Sequence, residues 1–194
     1  MLTKEDITVG ILAGGKATRM NNKDKGLVLV NKKPLIEKIL ETVSENTSKI
    51  IINANRNLST YKNYNYPVIS DSLDNFQGPL SGIYSMLKSI DTDYLITLPC
   101  DCPNFSWYVI QKMIDHSNEE NDVCVAHNGI RSQPVFMLVS KSKVQSLHNF
   151  LANGDRKIDI WYKQNNHKYI YFDNDTQYFD NINTTEQLNE YNSK

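Results

Sequence analysis

The sequence predicts an α/β fold of three layers, with a mostly parallel central sheet and helices on both of its faces. Apolar runs of strand length alternate with segments whose apolar residues recur at helical spacing, and this alternation is typical of parallel sheets. The runs 50–52 and 94–98 are nearly continuous in apolar residues, as expected for strands covered on both sides. With 194 residues and 40% hydrophobic content the chain can build one core, so we expect a single domain over residues 1–194.

The order of the elements follows from the same patterns. A first strand is expected from Ile7 to Leu12, and the next helix begins at Pro34, whose fixed φ suits a helix start. Further strands are expected at 50–53, 66–70, 94–98, 122–126, 134–140 and near Tyr169, and further helices at 57–64, 79–90, 107–116, 141–151, 156–164 and from Thr185. Sheets of this class bind ligands beyond the carboxyl ends of their strands, so a site is expected there.

Composition and charge argue against several classes of partner. The 21 Lys and Arg residues nearly balance the 22 Asp and Glu residues, so no global basic field favours nucleic acid or an anionic membrane. The N-terminus lacks the features of a secretory signal, and no apolar run approaches the ~20 residues of a membrane span, so we expect a cytoplasmic protein. The three cysteines are expected to be unbridged, and the four histidines have no metal-ligand spacing.

The stretch 11–26 is the strongest local signal for function. Gly14 and Gly15 end the first strand, and without Cβ atoms they let a ligand approach main-chain N–H groups that can bind phosphate. The spacing matches neither the P-loop nor the dinucleotide fingerprint G-x-G-x-x-G. Four cations follow within ten positions, namely Lys16, Arg19, Lys23 and Lys25. This combination suits a nucleoside triphosphate, with a solvated lysine-rich surface as the alternative.

Three predicted strands end in polar residues that can converge at one edge of the sheet. These residues are Asn53, Asp71 and Asp101. Because Mg²⁺ is commonly held by one or two carboxylates plus substrate phosphates, Asp101 fits a metal site, and the flanking prolines 99 and 103 fix the bend that aims it. For Asp71, a turn-capping role next to Ser72 is an equal alternative.

Five sequence blocks together resemble one known family. They are L-A-G-G-x-x-x-R-M from Leu12, D-K-G-L from Asp24, N-A-N-R from Asn53, D-S-L from Asp71 and G-P-L-S-G from Gly78. In this order they resemble the molybdenum cofactor guanylyltransferases of the nucleotidyltransferase superfamily. The resemblance implies a Rossmann-like, nucleotide-diphospho-sugar transferase-like fold, with a GTP- and Mg²⁺-binding part over about 1–105 and a pterin-binding part over about 106–194.

The resemblance also implies roles for particular residues. Asp101 would hold Mg²⁺, and Lys25 and Arg19 would act with it in catalysis. The residues implied to bind GTP are Leu12, Ala13, Gly14, Gly15, Lys25, Asn53, Asp71, Gly78 and Asp101. The chain departs from the family pattern at Asn21 and Asn22, which replace a glycine pair, and at Lys157 and Thr185, which replace an arginine and a proline.

Two C-terminal segments resemble blocks associated with the pterin substrate. Segment 154–157 resembles G-[ED]-R-R and segment 181–184 resembles N-[IV]-N-T, which implies pterin contacts for Arg156, Asn181 and Asn183. Arginine suits bidentate phosphate recognition, and asparagine suits the edge of a pterin ring. The alternative for Asn183 is the N-cap of the last helix, and it is the favoured one, whereas pterin contact is favoured for Arg156. Loop 129–134 is a further candidate wall of the acceptor site.

The activity implied by the resemblance is Mg²⁺-dependent transfer of GMP from GTP to the phosphate of molybdenum-molybdopterin, with release of pyrophosphate. The implied protein partners are a GTP-binding accessory protein and apo-molybdoenzymes. Two alternatives stay open. One is a related nucleotidyltransferase with another base or acceptor, such as a cytidylyltransferase. The other is a non-catalytic GTP- or cofactor-binding module.

Overall fold

The computed structural model of the protein describes residues 2–15, 24–73 and 78–193. The strands of the described residues are β1 (Ile7–Leu12), β2 (Leu29–Val30), β3 (Lys33–Pro34), β4 (Ile50–Asn53), β5 (Val68–Ile69), β6 (Tyr94–Pro99), β7 (Val123–His127), β8 (Ser132–Ser140) and β9 (His167–Tyr171). The α-helices of the same residues are α1 (Leu35–Ser44), α2 (Leu58–Lys62), α3 (Pro79–Ser89), α4 (Trp107–His116), α5 (Val144–Ala152), α6 (Ile158–Lys163) and α7 (Thr185–Asn192).

The described strands build a seven-stranded sheet in the order β5-β4-β1-β6-β8-β7-β9. Its pairs are parallel except those of β8, which runs antiparallel to β6 and β7. The register of β7 on β8 shifts between Val125 and Ala126, whose partners are Met137 and Gln133. The extra residues of β8 include Pro134, which has no N–H to donate and is therefore suited to a bulge.

The helices cover both faces of this sheet, as the sequence predicts. On one face α1 and α4 bury their apolar sides against strands that include β1, β4 and β6. On the other face α3, α5 and α6 pack against β4, β6, β7 and β8. The central strands are buried on both sides, which explains their nearly unbroken apolar runs. Each fully buried Val, Leu, Ile, Phe or Met side chain stabilises the fold by roughly 1.5–3 kcal/mol. The two apolar clusters, one on each face of the sheet, therefore hold the strand ends in fixed positions.

A small hairpin lies outside the main sheet. Strands β2 and β3 pair antiparallel through a turn in which Asn31 and Lys32 both have positive φ, 51° and 68°. The backbone N–H of Asn31 donates to the side chain of Asn192 in α7 over 2.8 Å. A third apolar cluster joins the hairpin to the C-terminal segment and consists of Val28, Val30, Leu35 and Ile182, with Leu188 and Tyr191 packed against it.

The predicted strands and helices are present, with ends shifted by a few residues. The predicted strand 66–70 is reduced to Val68–Ile69, and the predicted helix 141–151 begins at Val144 after a short 3₁₀ turn. The β2–β3 hairpin was not predicted, because two-residue strands carry no readable alternation. Within the described residues we find no helix of sufficient length and apolar character to traverse a bilayer.

Candidate active site

A cavity of about 410 Å³ opens at the carboxyl ends of β1, β4 and β6. The register explains why the polar residues of the three strand ends meet there, because Leu12 is the partner of both Asn53 and Pro99. Of the nine residues implied to bind GTP, the lining includes Leu12, Gly14, Gly15, Lys25, Asn53, Asp71, Gly78 and Asp101. Both asparagines implied to bind the pterin, Asn181 and Asn183, line the same cavity.

Lys25 and Asp101 form an ion pair within this cavity. The Lys25 Nζ donates to Asp101 Oδ2 over 2.8 Å and to the side-chain oxygen of Asn183 over 2.6 Å. Asp101 is 6% exposed, so its charge is poorly solvated and depends on these partners. Its other oxygen, Oδ1, accepts from Asn181 Nδ2 over 3.1 Å. Two residues of the C-terminal segment therefore hold the predicted catalytic pair.

The orientation of the Asn181 amide is set by Cys102. The Cys102 Sγ donates to Asn181 Oδ1 over 3.2 Å, which leaves the amide nitrogen directed at Asp101. Burial, followed by the nearby charge of Asp101, raises the pKa of Cys102 well above its usual range, so the thiol keeps the proton it donates. The neighbouring Cys100 and the more distant Cys124 are likewise buried and unbridged, as the sequence predicts.

Lys25 is positioned by the residue before it. Asp24 is buried, and its two oxygens accept from Tyr61 Oη over 2.5 Å and from Asn57 Nδ2 over 3.0 Å. The chain then passes so close to Tyr61 that a Cβ at Gly26 would lie 2.6 Å from the Tyr61 hydroxyl oxygen. In the D-K-G block, Asp24 thus anchors the chain and Lys25 supplies the functional cation. Gly26 lets the chain pass close to the Tyr61 hydroxyl.

Asn53 and Asp71 form a second polar pair on the opposite side of the cavity. The Asn53 Nδ2 donates to Asp71 Oδ1 over 2.9 Å, and Asn53 is only 2% exposed. Helix α3 approaches Asn53 so closely that a Cβ at Gly82 would clash with its side-chain oxygen. The Asp71 carboxylate therefore borders the cavity beside Asn53.

Two residues outside the predicted set hold the glycine loop. Asn55, which lines the cavity, donates from Nδ2 to the carbonyl of Gly14 over 3.3 Å, and Arg56 donates from Nη2 to the carbonyl of Gly15 over 2.9 Å. Their signal in the sequence was the N-A-N-R block, of which only the first residue was assigned to the site.

The start of the last helix corrects one prediction. Thr184, and not Asn183, is the N-cap of α7: its hydroxyl accepts from the backbone N–H of Gln187 over 3.2 Å, and the Gln187 side chain accepts from the N–H of Thr184. The favoured capping role of Asn183 is therefore wrong. Its side chain is instead free of the helix end and accepts from Lys25.

Two of the predicted site residues that the structure describes do not appear in the lining. Ala13 is buried, and its N–H donates to the carbonyl of Asn53 over 2.8 Å. The Arg156 guanidinium donates to the carbonyl of Leu151 over 2.7 Å, at the end of α5. Arg19 lies outside the described residues, as do Lys16 and Lys23.

The fold agrees with that of the known proteins that the chain is similar to. The family model described as MobA-like NTP transferase domain matches residues 9–168, which include all three strand ends of the cavity. The chain belongs to this family. It is a nucleotidyltransferase of the α/β fold that the sequence predicts.

Similar proteins cover nearly the whole chain. The molybdenum cofactor guanylyltransferase of Vibrio vulnificus is 42% identical over 93% of this chain and 92% of its own length. The protein of the same name from Photobacterium profundum is 39% identical over 98% of each chain. The crystal structure of molybdopterin-guanine dinucleotide biosynthesis protein A from Archaeoglobus fulgidus superposes with a TM-score of 0.78 over 96% of this chain and 97% of its own, at 22% identity. That structural likeness supports the fold.

Proposed function

We propose that this protein transfers GMP from GTP to the terminal phosphate of molybdenum-molybdopterin and releases pyrophosphate. The observation that carries the proposal is the Lys25–Asp101 pair inside a cavity of about 410 Å³, in a chain that is 42% identical to a molybdenum cofactor guanylyltransferase. The reaction forms one P–O bond, between an acceptor phosphate oxygen and the α-phosphorus of GTP, and breaks the bond between that phosphorus and the α–β bridging oxygen. The bridging oxygen leaves with the pyrophosphate.

The base of GTP would lie on the side of Asn53 and Asp71. The carboxylate of Asp71 can accept hydrogen bonds from two neighbouring N–H groups of guanine, whereas cytosine has no such pair on its pairing edge. Leu12 and Gly78 supply an apolar side chain and an open main chain next to these groups. Gly78 has φ 78°, a conformation that glycine adopts without strain, and it is the N-cap of α3.

The triphosphate would lie between the glycine loop and Lys25. Lys25 supplies a positive charge at the cavity wall, and the N–H groups of the loop supply hydrogen-bond donors that cost no side-chain entropy. Arg19, outside the described residues, is proposed to neutralise the leaving pyrophosphate. Because the attacking group is already an anion, these residues act by positioning and charge neutralisation.

The residues present fit a bound Mg²⁺ ion. Mg²⁺ takes oxygen ligands in proteins. The Asp101 carboxylate lines the cavity, and the side-chain oxygen of Asn183 lies near it because both groups accept from Lys25 Nζ. Within the described residues, no group of three or more His, Cys, Asp or Glu side chains could hold a metal, which suits an ion that keeps water and phosphate ligands. Asp101 would hold the ion, and the positive charge of the ion would lower the electrostatic cost of bringing two phosphate anions together.

The acceptor would reach the α-phosphate from the side of Asn181 and Asn183. Both asparagines line the cavity and contact the Lys25–Asp101 pair, so an acceptor bound to them would lie next to the reacting atoms. Arg156 is proposed as an acceptor contact on the resemblance of its segment. Transient contacts with a GTP-binding accessory protein and apo-molybdoenzymes are proposed on the same ground.

The experiment that tests this function is pyrophosphate release by the purified protein with molybdenum-loaded molybdopterin, Mg²⁺ and each ribonucleoside triphosphate in turn. We expect release with GTP and background levels with ATP, CTP and UTP. Release with CTP instead would keep the reaction and overturn the base. Binding of GTP without release under any condition would favour a non-catalytic module.

A further inference from the structure

The peptide group between Gly14 and Gly15 is held at its carbonyl oxygen by a side chain. Its carbonyl oxygen, on Gly14, accepts from Asn55 Nδ2 over 3.3 Å, and the next carbonyl, on Gly15, accepts from Arg56 Nη2 over 2.9 Å. The two donors are neighbours in the segment that follows β4, so one short stretch of chain engages two successive carbonyls of the glycine loop.

Peptide geometry gives this contact a consequence for the opposite side of the loop. In a planar trans peptide the C=O and N–H bonds point in opposite directions. A Gly14 carbonyl fixed against Asn55 therefore directs the N–H of Gly15 away from Asn55. A Cβ at Gly15 would meet no described heavy atom within 4 Å, and Gly15 lines the cavity, so a ligand has room to approach this residue.

The Asn55 side chain is itself fixed. Its Oδ1 accepts from the backbone N–H of Asp71 over 2.8 Å, and only the amide nitrogen then remains to face Gly14. Gly14 packs tightly on this amide, because a Cβ there would lie 2.7 Å from Asn55 Nδ2 and 3.0 Å from Asn53 Oδ1. The contact thus connects the glycine loop with the loop that carries Asp71.

We propose that Asn55 is a positioning residue that orients the Gly14–Gly15 peptide, so that the Gly15 N–H donates to a phosphate of the bound nucleotide, and that Arg56 supports this orientation by holding the next carbonyl, on Gly15. This inference rests on the proposed binding of a nucleoside triphosphate in the cavity. Asn55 and Arg56 do not contact the transferred group; they set the direction of a main-chain donor. Without them the peptide is free to rotate and can present its carbonyl, which repels phosphate, to the cavity.

The test is an NMR titration of the ¹⁵N-labelled protein with GTP and Mg²⁺, observing the backbone amide of Gly15. In the unchanged protein we expect a downfield shift of this amide proton as it binds phosphate. Asn55→Ala and Arg56→Ala should each reduce that shift and weaken GTP binding by about tenfold, the effect of one hydrogen bond to a charged group. Guanosine, which has no phosphate, should bind all forms equally.

Two further variants distinguish a loss of peptide orientation in the glycine loop from a general loss of positive charge or of folding. Lys62→Ala removes an exposed cation from the end of nearby α2 and should leave both readouts unchanged, whereas Arg56→Lys retains a donor and should restore part of the Gly15 shift. A Gly15 shift of normal size in both Ala variants would overturn the inference, as would an equal loss of guanosine binding. If the unchanged protein binds no GTP, the proposed function fails first, and this inference with it.

Discussion

The Lys25 ammonium lies 2.8 Å from the carboxylate of Asp101, and Asp101 is the residue that we propose to hold the divalent cation. The lysine side chain is 25% exposed and that of the aspartate 9%, so solvent and salt screen this pair less than they screen a surface ion pair. A metal ion must compete with this ammonium for Asp101. A triphosphate offers Lys25 a new partner, so the nucleotide and the metal should each favour binding of the other.

Metal binding without nucleotide should therefore be weak. We expect Mn²⁺, followed by electron paramagnetic resonance in place of Mg²⁺, to bind at least about tenfold more tightly when GTP is present, a coupling in the usual range of roughly 1–3 kcal/mol. Lys25→Met removes the competing ammonium and should strengthen binding of Mn²⁺ alone, while GTP affinity falls.

A matched control for this variant is Lys33→Met, which removes an exposed ion pair with Glu41 and should leave both affinities unchanged. Equal binding of Mn²⁺ alone by the Lys25→Met and unchanged proteins would show that Lys25 does not compete for the metal site.

Asp101→Asn should abolish most of the turnover. The substitution preserves the shape of the side chain but removes the charge that would hold the cation, whose contribution to transition-state stabilisation is several kcal/mol. We expect kcat to fall about 10³-fold or more in the pyrophosphate assay, with GTP binding retained. A folded variant with near-normal kcat would rule out the assignment of Asp101 to the metal. Circular dichroism and thermal unfolding would establish that it is folded.

Tyr61→Phe should lower both stability and nucleotide affinity. The hydroxyl donates to buried Asp24 over 2.5 Å, and without it one carboxylate oxygen loses its partner next to Lys25. We expect the free energy of unfolding to fall by about 1–3 kcal/mol and KM for GTP to rise. The control is Tyr64→Phe, which removes a hydroxyl bonded to Glu37 over 3.0 Å, away from Lys25. Equal effects of the two substitutions on KM would contradict the anchoring role of Asp24.

The buried thiol of Cys124 predicts a loss of stability at alkaline pH. Burial raises the pKa of Cys124 from 9.0 to about 11. Between these pH values the unfolded chain releases the thiol proton while the native protein keeps it. The native state then binds more protons, so the free energy of unfolding falls as the pH rises, by up to about 3 kcal/mol. Urea unfolding from pH 8 to 11 should show a shallower decline for Cys124→Ala, and an unchanged slope would contradict the shift.

Periodicity and motif predicted most of the fold and much of the candidate site, because continuous apolar runs, the blocks around Lys25 and Asn53, and the prolines that flank Asp101 are local signals. What could not be predicted depends on contacts between distant segments. The pairing of Asn183 with Lys25 joins positions 158 residues apart, and the third apolar cluster helps to bring their segments together. The roles of Asn55 and Arg56 required the direction of a carbonyl bond, which no sequence pattern specifies.

The most direct test of GMP transfer is to follow the label from GTP carrying ³²P at either the α or the γ position, with molybdenum-loaded molybdopterin and Mg²⁺. Our account predicts that the α-label appears in the pterin product in a one-to-one ratio with pyrophosphate, and that the γ-label appears only in pyrophosphate. A γ-label in the pterin product, or an α-label that remains in free GMP or GDP, would contradict nucleotidyl transfer to this acceptor.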